Sequence, residues 1–151
     1  MKVRIHHVAV WVSALAYFAL GALWFDPHLF GNAWMAGIGK TMAQLSAGSA
    51  SHVPYLVAFL AALLTGYGIA GVLHLTGSAG AGRGVLFAIL LWGGLVGPAW
   101  LTSTLFEGRT AKLWAIDAGY PLAGMIITGA IVGAWKKKKK EKAPGANVSG
   151  A

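Results

Sequence analysis

The sequence predicts an all-α membrane protein: four transmembrane helices in an up-down-up-down bundle, with a short interfacial helix in the first outer loop. Three observations predict it. Charged residues make up only 11% of the 151 residues and hydrophobic ones 57%, whereas a soluble domain carries about 25% charged residues. Four apolar stretches are each long enough to cross a bilayer. Lysine and arginine are sorted to one side of the path that those stretches define. A mean hydropathy of +0.66 agrees: such a chain cannot cover a water-facing surface, and lipid is the solvent that resolves the mismatch.

The stretches cover residues 5–25, 54–76, 84–106 and 113–135. An α-helix rises about 1.5 Å per residue, so about 20 residues span the hydrocarbon core. Inside a soluble protein, four such helices would leave no amphipathic layer to hide them. The first stretch follows Lys2 and Arg4 and contains Ala14-Leu15-Ala16, a pattern that imitates a secretory signal. Signal cores run about 7–15 residues. This one is longer and ends in Leu23-Trp24-Phe25, which suits a membrane-interface anchor, so it is read as the first spanning helix.

The first outer loop occupies residues 26–53. Asn32 is placed to cap a short helix, and Met35, Ile38, Met42 and Leu45, with Trp34 alongside, recur at helical spacing. They form one apolar stripe, as on a helix lying on the membrane surface. Gly37 and Gly39 interrupt it. Residues 47–51 (AGSAS) read as a flexible return and residues 77–83 (GSAGAGR) as a tight inner turn. Residues 1–135 thus form one domain, and residues 136–151 a basic, disordered cytoplasmic tail.

An even number of crossings puts both ends on one side. That side holds Lys2, Arg4, Arg83 and six C-terminal lysines; the other holds Lys40, Arg109 and Lys112. Short loops rich in Lys and Arg stay in the cytoplasm, which places both termini there. The net charge is +8, and half of the cations lie in the run from Lys136 to Lys142. Beside an apolar helix, that run is a topology signal and a contact for anionic lipid head groups. Nothing in the sequence matches a nucleic-acid-binding fold. The chain has no cysteine, which excludes disulfides, thiolate metal sites and cysteine nucleophiles.

Lipid tails are as apolar as leucine, so small residues, rather than hydrophobicity, bring such helices together. Gly93 with Gly97, Gly129 with Gly133, and Ala62, Gly66 and Ala70 have the four-residue spacing for this, toward the bundle or toward a second copy. Pro98 and Pro121 each lack the N–H that would reach back four residues, to the carbonyls of Gly94 and Asp117. Both lie slightly to the outer side of their helix midpoints. The expectation is a kink in each helix, or a small polar cavity where the two open at one depth.

Asp117 is the foremost candidate for chemistry. It lies inside the fourth stretch, where ionisable groups are costly and tend to be functional, and Tyr120 lies three residues on, near the same face. The two together are a candidate ion or proton site. The structural alternative pairs Asp117 with Lys112, Arg109 or Lys40. Asp26, His28, His52 and Glu107 fall on the same outer side; with Asp117 they are candidate ligands for a divalent cation such as zinc or iron, although no pair has a metal-binding spacing. His6, His7 and His74 gather at the inner end as interfacial side chains, or as sensors of cytoplasmic pH. No nucleophile elbow, Walker loop or dinucleotide fingerprint is present, and no cofactor is implied.

Residues 21–40, GALWFDPHLFGNAWMAGIGK, carry a first helix ending in Gly-x-Leu-Trp-aromatic, then Pro-x-x-Phe-Gly-x-x-Trp: Gly21, Leu23, Trp24, Phe25, Pro27, Phe30, Gly31 and Trp34. This resembles the opening signature of the bacterial family known as domain of unknown function 1761, with Phe25 where a tyrosine is expected. Residues 113–122, LWAIDAGYPL, resemble a later section of the same family. The resemblance spans roughly residues 3–135. It implies a small four-helix membrane protein in a bacterial cytoplasmic (inner) membrane, and no activity.

Three readings of function follow. The first is a non-enzymatic structural or interaction bundle, forming homo-oligomers or joining a larger membrane complex. The alternative is a small proton- or cation-coupled transporter or channel using Asp117. The lesser alternative is a metal-dependent membrane enzyme built on the outer His and carboxylate residues.

Overall fold

The computed structural model describes residues 4–48 and 51–135. The basic tail at 136–151, with its Lys136–142 lipid contact, lies outside them, as do residues 49 and 50 of the expected flexible return. Among the described residues all regular structure is helical: α1 (His7–Trp24), α2 (Gly31–Ile38), α3 (Met42–Gly48), α4 (Val53–Leu75), α5 (Ala81–Leu91), a π-helical turn (Trp92–Val96), α6 (Gly97–Phe106) and α7 (Ala111–Ala134).

Four helices are long and apolar enough to cross a membrane: α1, α4, the continuous run Ala81–Phe106, and α7. In each, only 17–33% of the apolar window is buried inside the protein. Large side chains such as Leu64, Leu95 and Phe106 point outward. An exterior this apolar is soluble in lipid and insoluble in water, so the chain is a multi-pass membrane protein.

Packing is organised around α7, which contacts α1, α2, α4, α5 and α6. Val10, Ala14 and Tyr17 of α1 bury against Ala62, Leu63 and Ala70 of α4. A second cluster joins Ile69 and Leu73 of α4 to Ala88 of α5 and Met125 of α7. Contacts pair the start of one helix with the end of its neighbour. In α1 and α4, His7 meets Tyr67 while Phe18 meets Phe59. In α5 and α7, Gly84 meets Gly129 while Gly80 meets Gly133.

The α5–α7 contact is backbone against backbone. A Cβ built on Gly84 would fall on the Gly129 carbonyl, one on Gly129 on the Gly84 carbonyl, and one on Gly133 on the Gly80 carbonyl. The Gly80 N–H donates to the Gly133 carbonyl at 2.8 Å. Gly80 has φ 106°, a conformation that only glycine adopts freely. It lets α5 begin at Ala81, three residues before the expected start. The expectation for Gly129 and Gly133 therefore holds, with Gly80 and Gly84 as their partners. Gly93 and Gly97 do not pack into the bundle: open space surrounds a Cβ on Gly93, as the alternative of a second copy also requires, and Gly97 is covered by the Trp92 ring of its own span. Gly66 packs against Val10 and Ser13 of α1, as its spacing suggested.

The two prolines behave differently. Ahead of Pro98 the helix widens into a π turn, in which the Gly97 N–H reaches the Trp92 carbonyl five residues back. One extra residue in the turn makes room for the proline ring. Pro121 sits within α7, which stays helical from Ala111 to Ala134.

The outer loop forms two short helices, where the apolar stripe predicted one. Gly39, with φ 68°, ends α2 and splits the stripe between Ile38 and Met42. α3 then restarts on a capping box: the Gln44 N–H donates to Thr41 Oγ1, and the Thr41 N–H to Gln44 Oε1. Asn32 is inside the first turn of α2 and does not cap it; its amide donates to the Pro27 carbonyl.

Candidate functional site

α7 starts on a side-chain cap, with the Leu113 N–H donating to Thr110 Oγ1 at 3.2 Å. This fixes the turn carrying Ile116, Asp117 and Ala118, onto which three indoles converge. Trp24, at the end of α1, donates to the Ile116 carbonyl at 3.1 Å. Trp34 of α2 donates to Asp117 Oδ1 at 2.8 Å. Trp92, the first residue of the π turn, donates to the Ala118 carbonyl at 2.8 Å. Trp114 returns the last contact, donating to the Gly97 carbonyl at 3.2 Å. The turn preceding Pro121 is thus held by indole N–H groups from every other spanning segment except α4. Such donors answer the demand that backbone polarity be satisfied within a membrane.

Around this turn lies a shell of rings. Tyr120 packs edge-on against Tyr17 (5.2 Å between centroids) and Phe25 (5.4 Å), and its hydroxyl donates to the Tyr17 carbonyl at 3.3 Å. Phe25 in turn packs edge-on against Trp34 at 5.2 Å. Glycines make the shell possible. A Cβ on Gly124 would overlap the Tyr17 ring, and one on Gly21 would lie 2.8 Å from the Tyr120 hydroxyl. Gly31 has no room for a Cβ against the backbone of Phe25 and Asp26, so the chain can wind tightly from α1 into α2 and bring Trp34 to Asp117.

Beside the shell, between α1 and α4, is a cleft of ≈ 580 Å³. Its aromatic lining is Phe18, Phe25, Trp34, Tyr55 and Tyr120; Gly21, Ala22, Pro54 and Ala58 complete it.

Of the residues singled out in the sequence, Asp117 and Tyr120 both belong to this site. Asp117 is hydrogen-bonded by Trp34; Arg109 acts on it through space while ion-paired at 2.8 Å with Glu107, which also accepts from Ser103. Asp26 and His28 meet each other: Asp26 Oδ1 accepts the His28 backbone N–H at 2.8 Å and lies 2.8 Å from His28 Nδ1. His52 stands just ahead of α4. Among the described residues no three His, Asp or Glu side chains form a group suited to a metal ion; of the five candidates, Asp26 and His28 are brought together. At the opposite end, His7 Nδ1 lies 3.0 Å from the Tyr67 hydroxyl. Trp34 is the residue whose role the sequence did not reveal. Its signal was its position in the stretch 21–40, since that stretch and 113–122 are the two that meet here.

The His28 backbone N–H, and then its side chain, hold the Asp26 carboxyl below its ordinary value. A carboxyl lowered on folding contributes stability above its unfolded value, about 3.9, and loses it as pH falls through the folded value. Protection of the His28 amide, the slowing of its exchange relative to the intrinsic rate at the same pH, is therefore expected to hold at pH 5 and above and to fall on acidification below about pH 4. Protection showing no such fall would contradict the turn.

Residues 8–133 match the family model described as Protein of unknown function (DUF1761). No curated protein and no solved structure matches the chain.

Proposed function

Because the chain belongs to the family described as protein of unknown function DUF1761, membership brings no activity with it, and we propose a function from the chain's own residues: a non-catalytic structural or interaction bundle of four spans. The observation that carries this reading is the Trp34–Asp117 hydrogen bond. Among the described residues Asp117 is the one acidic residue inside a spanning helix, and its carboxylate ties the outer loop to the central helix. A group so engaged acts as a latch. The crossings alternate up-down-up-down, a reading supported by contacts that join the beginning of one helix to the end of the next. The arginine- and lysine-rich ends face the cytoplasm of a bacterial inner membrane, and the run at 136–142 contacts anionic head groups. α2 and α3 lie along the outer surface, anchored through Trp34.

A second reading, a proton- or cation-coupled carrier using Asp117 and Tyr120, is favoured by the placement of a carboxylate within a span. Liposomes containing the wild type or Asp117→Asn separate the two. The latch predicts no proton or metal flux in either. Flux in the wild type that disappears in the variant would establish the carrier instead. Elemental analysis addresses the metal-dependent enzyme, which requires near one metal per purified chain. Crosslinking in native membranes is expected to yield a homo-oligomer or a membrane partner; a strictly solitary chain would count against an interaction role.

A further inference from the structure

We propose that the aromatic cleft between α1 and α4 binds a hydrophobic organic cation, such as a quaternary ammonium or phosphonium with an apolar body. This goes beyond the latch and rests on it in one respect, since the Trp34–Asp117 hydrogen bond links the carboxylate to a ring that lines the cleft. The volume, ≈ 580 Å³, is within the range of small-molecule sites, about 300–1,000 Å³. The space exists because Gly21, Ala22 and Ala58 put almost no side chain between the rings of Phe18, Phe25, Trp34, Tyr55 and Tyr120.

The lining decides the sign of the ligand. Five of nine lining residues are aromatic and none carries a charge. Aromatic faces carry negative potential and attract cations, most strongly where water is excluded and where the ring is an indole. The Trp34 ring is polarised further. Its N–H donates to a carboxylate at 2.8 Å, which pushes electron density into the ring, as chained hydrogen bonds polarise one another. Asp117 thus acts on the cleft from behind Trp34, without lining it; Arg109, ion-paired with Glu107, also interacts with Asp117 through space and offsets part of its field. An inorganic cation would lose its hydration here for too few oxygen ligands. An organic cation loses little hydration and fills the apolar space. An anion of the same shape meets the same apolar walls and the opposite potential.

That contrast is the test. Equilibrium dialysis of the detergent-purified protein, against protein-free micelles, compares tetraphenylphosphonium with tetraphenylborate, two ions of nearly equal shape and opposite charge. Saturable binding of the phosphonium near one per chain is expected, with the borate weaker by about tenfold or more. Ala22 and Ala58 are exposed at the mouth of the cleft, so Ala58→Trp and Ala22→Phe fill it without disturbing the core, and either should remove the saturable component. Asp117→Asn keeps an oxygen for the Trp34 N–H and removes the charge; it should weaken the phosphonium several-fold and strengthen the borate, so that the two ions converge. Equal binding of the two ions, no saturable binding of either, or binding that survives Ala58→Trp would each overturn the proposal, and none would bear on the latch.

Discussion

Gly129→Leu is expected to unseat α5 from α7 and destabilise the bundle by about 3 kcal/mol or more, at the upper end of what overpacking does. The reason is the nature of the obstacle. The first side-chain carbon at Gly129 meets the backbone carbonyl of Gly84, which has no rotamer to change. Moving α5 away would break the Gly80 N–H to Gly133 carbonyl bond of 2.8 Å and separate the two glycine faces along their length. Lipid supplies no hydrophobic force to hold the helices together afterwards, since close packing is what joined them. Gly93→Leu, on the span that α7 packs against, is the control, because nothing lies within 4 Å of a Cβ there and leucine favours the helix more than glycine does. Unfolding in mixed micelles titrated with denaturing detergent checks the pair. A Gly129→Leu protein no less stable than Gly93→Leu would show that α5 and α7 do not meet as described.

The spans were legible in the sequence to within three residues because their cause is simple. A bilayer demands about 20 apolar residues and punishes charge. The contacts between spans were much less legible, and for the same reason. A helix surrounded by lipid is apolar on all sides, so no polar face marks the outside. Only small residues remain as a guide, and they mislead easily. Gly129 and Gly133 were read correctly, whereas Gly80 was hidden in a stretch that reads as a turn, which separates it from Gly84 at the first position of the third span. Gly93 and Gly97 had the right spacing, but Gly93 lies within the π turn ahead of Pro98 and Gly97 directly after it. The short loop helix was half legible: its stripe is real, but Gly39 adopts a left-handed conformation and divides it. At the site, Asp117 and Tyr120 stood out as polar groups in apolar surroundings. Trp34 did not, because an indole in a membrane protein is ordinarily an interface anchor. Its partner is 83 residues away, and no local pattern records that distance. The metal reading rested on shared topology alone, which says on which side of the membrane side chains lie and not which of them meet.

Trp34→Phe is expected to cost about 1.5–3 kcal/mol, the range for a hydrogen bond to a charged group. The substitution keeps a ring against Phe25 and removes the N–H, so the loss is chiefly that of the donor. The Asp117 carboxylate, half-buried on the central helix, is then left without the indole that held it, and desolvated charge lacking a partner is costly. Asp117→Asn should cost less than Trp34→Phe, because its amide oxygen still accepts from the indole. The combination Trp34→Phe with Asp117→Leu removes donor and acceptor together, leaving no orphaned group. It should therefore be more stable than Trp34→Phe alone, with a coupling energy of about 1–3 kcal/mol in the cycle completed by Asp117→Leu. The same detergent titration measures all four proteins. Simple additivity, with the double variant losing the sum of the two single losses, would mean that the indole and the carboxylate stabilise the protein separately and that nothing latches the outer loop to α7.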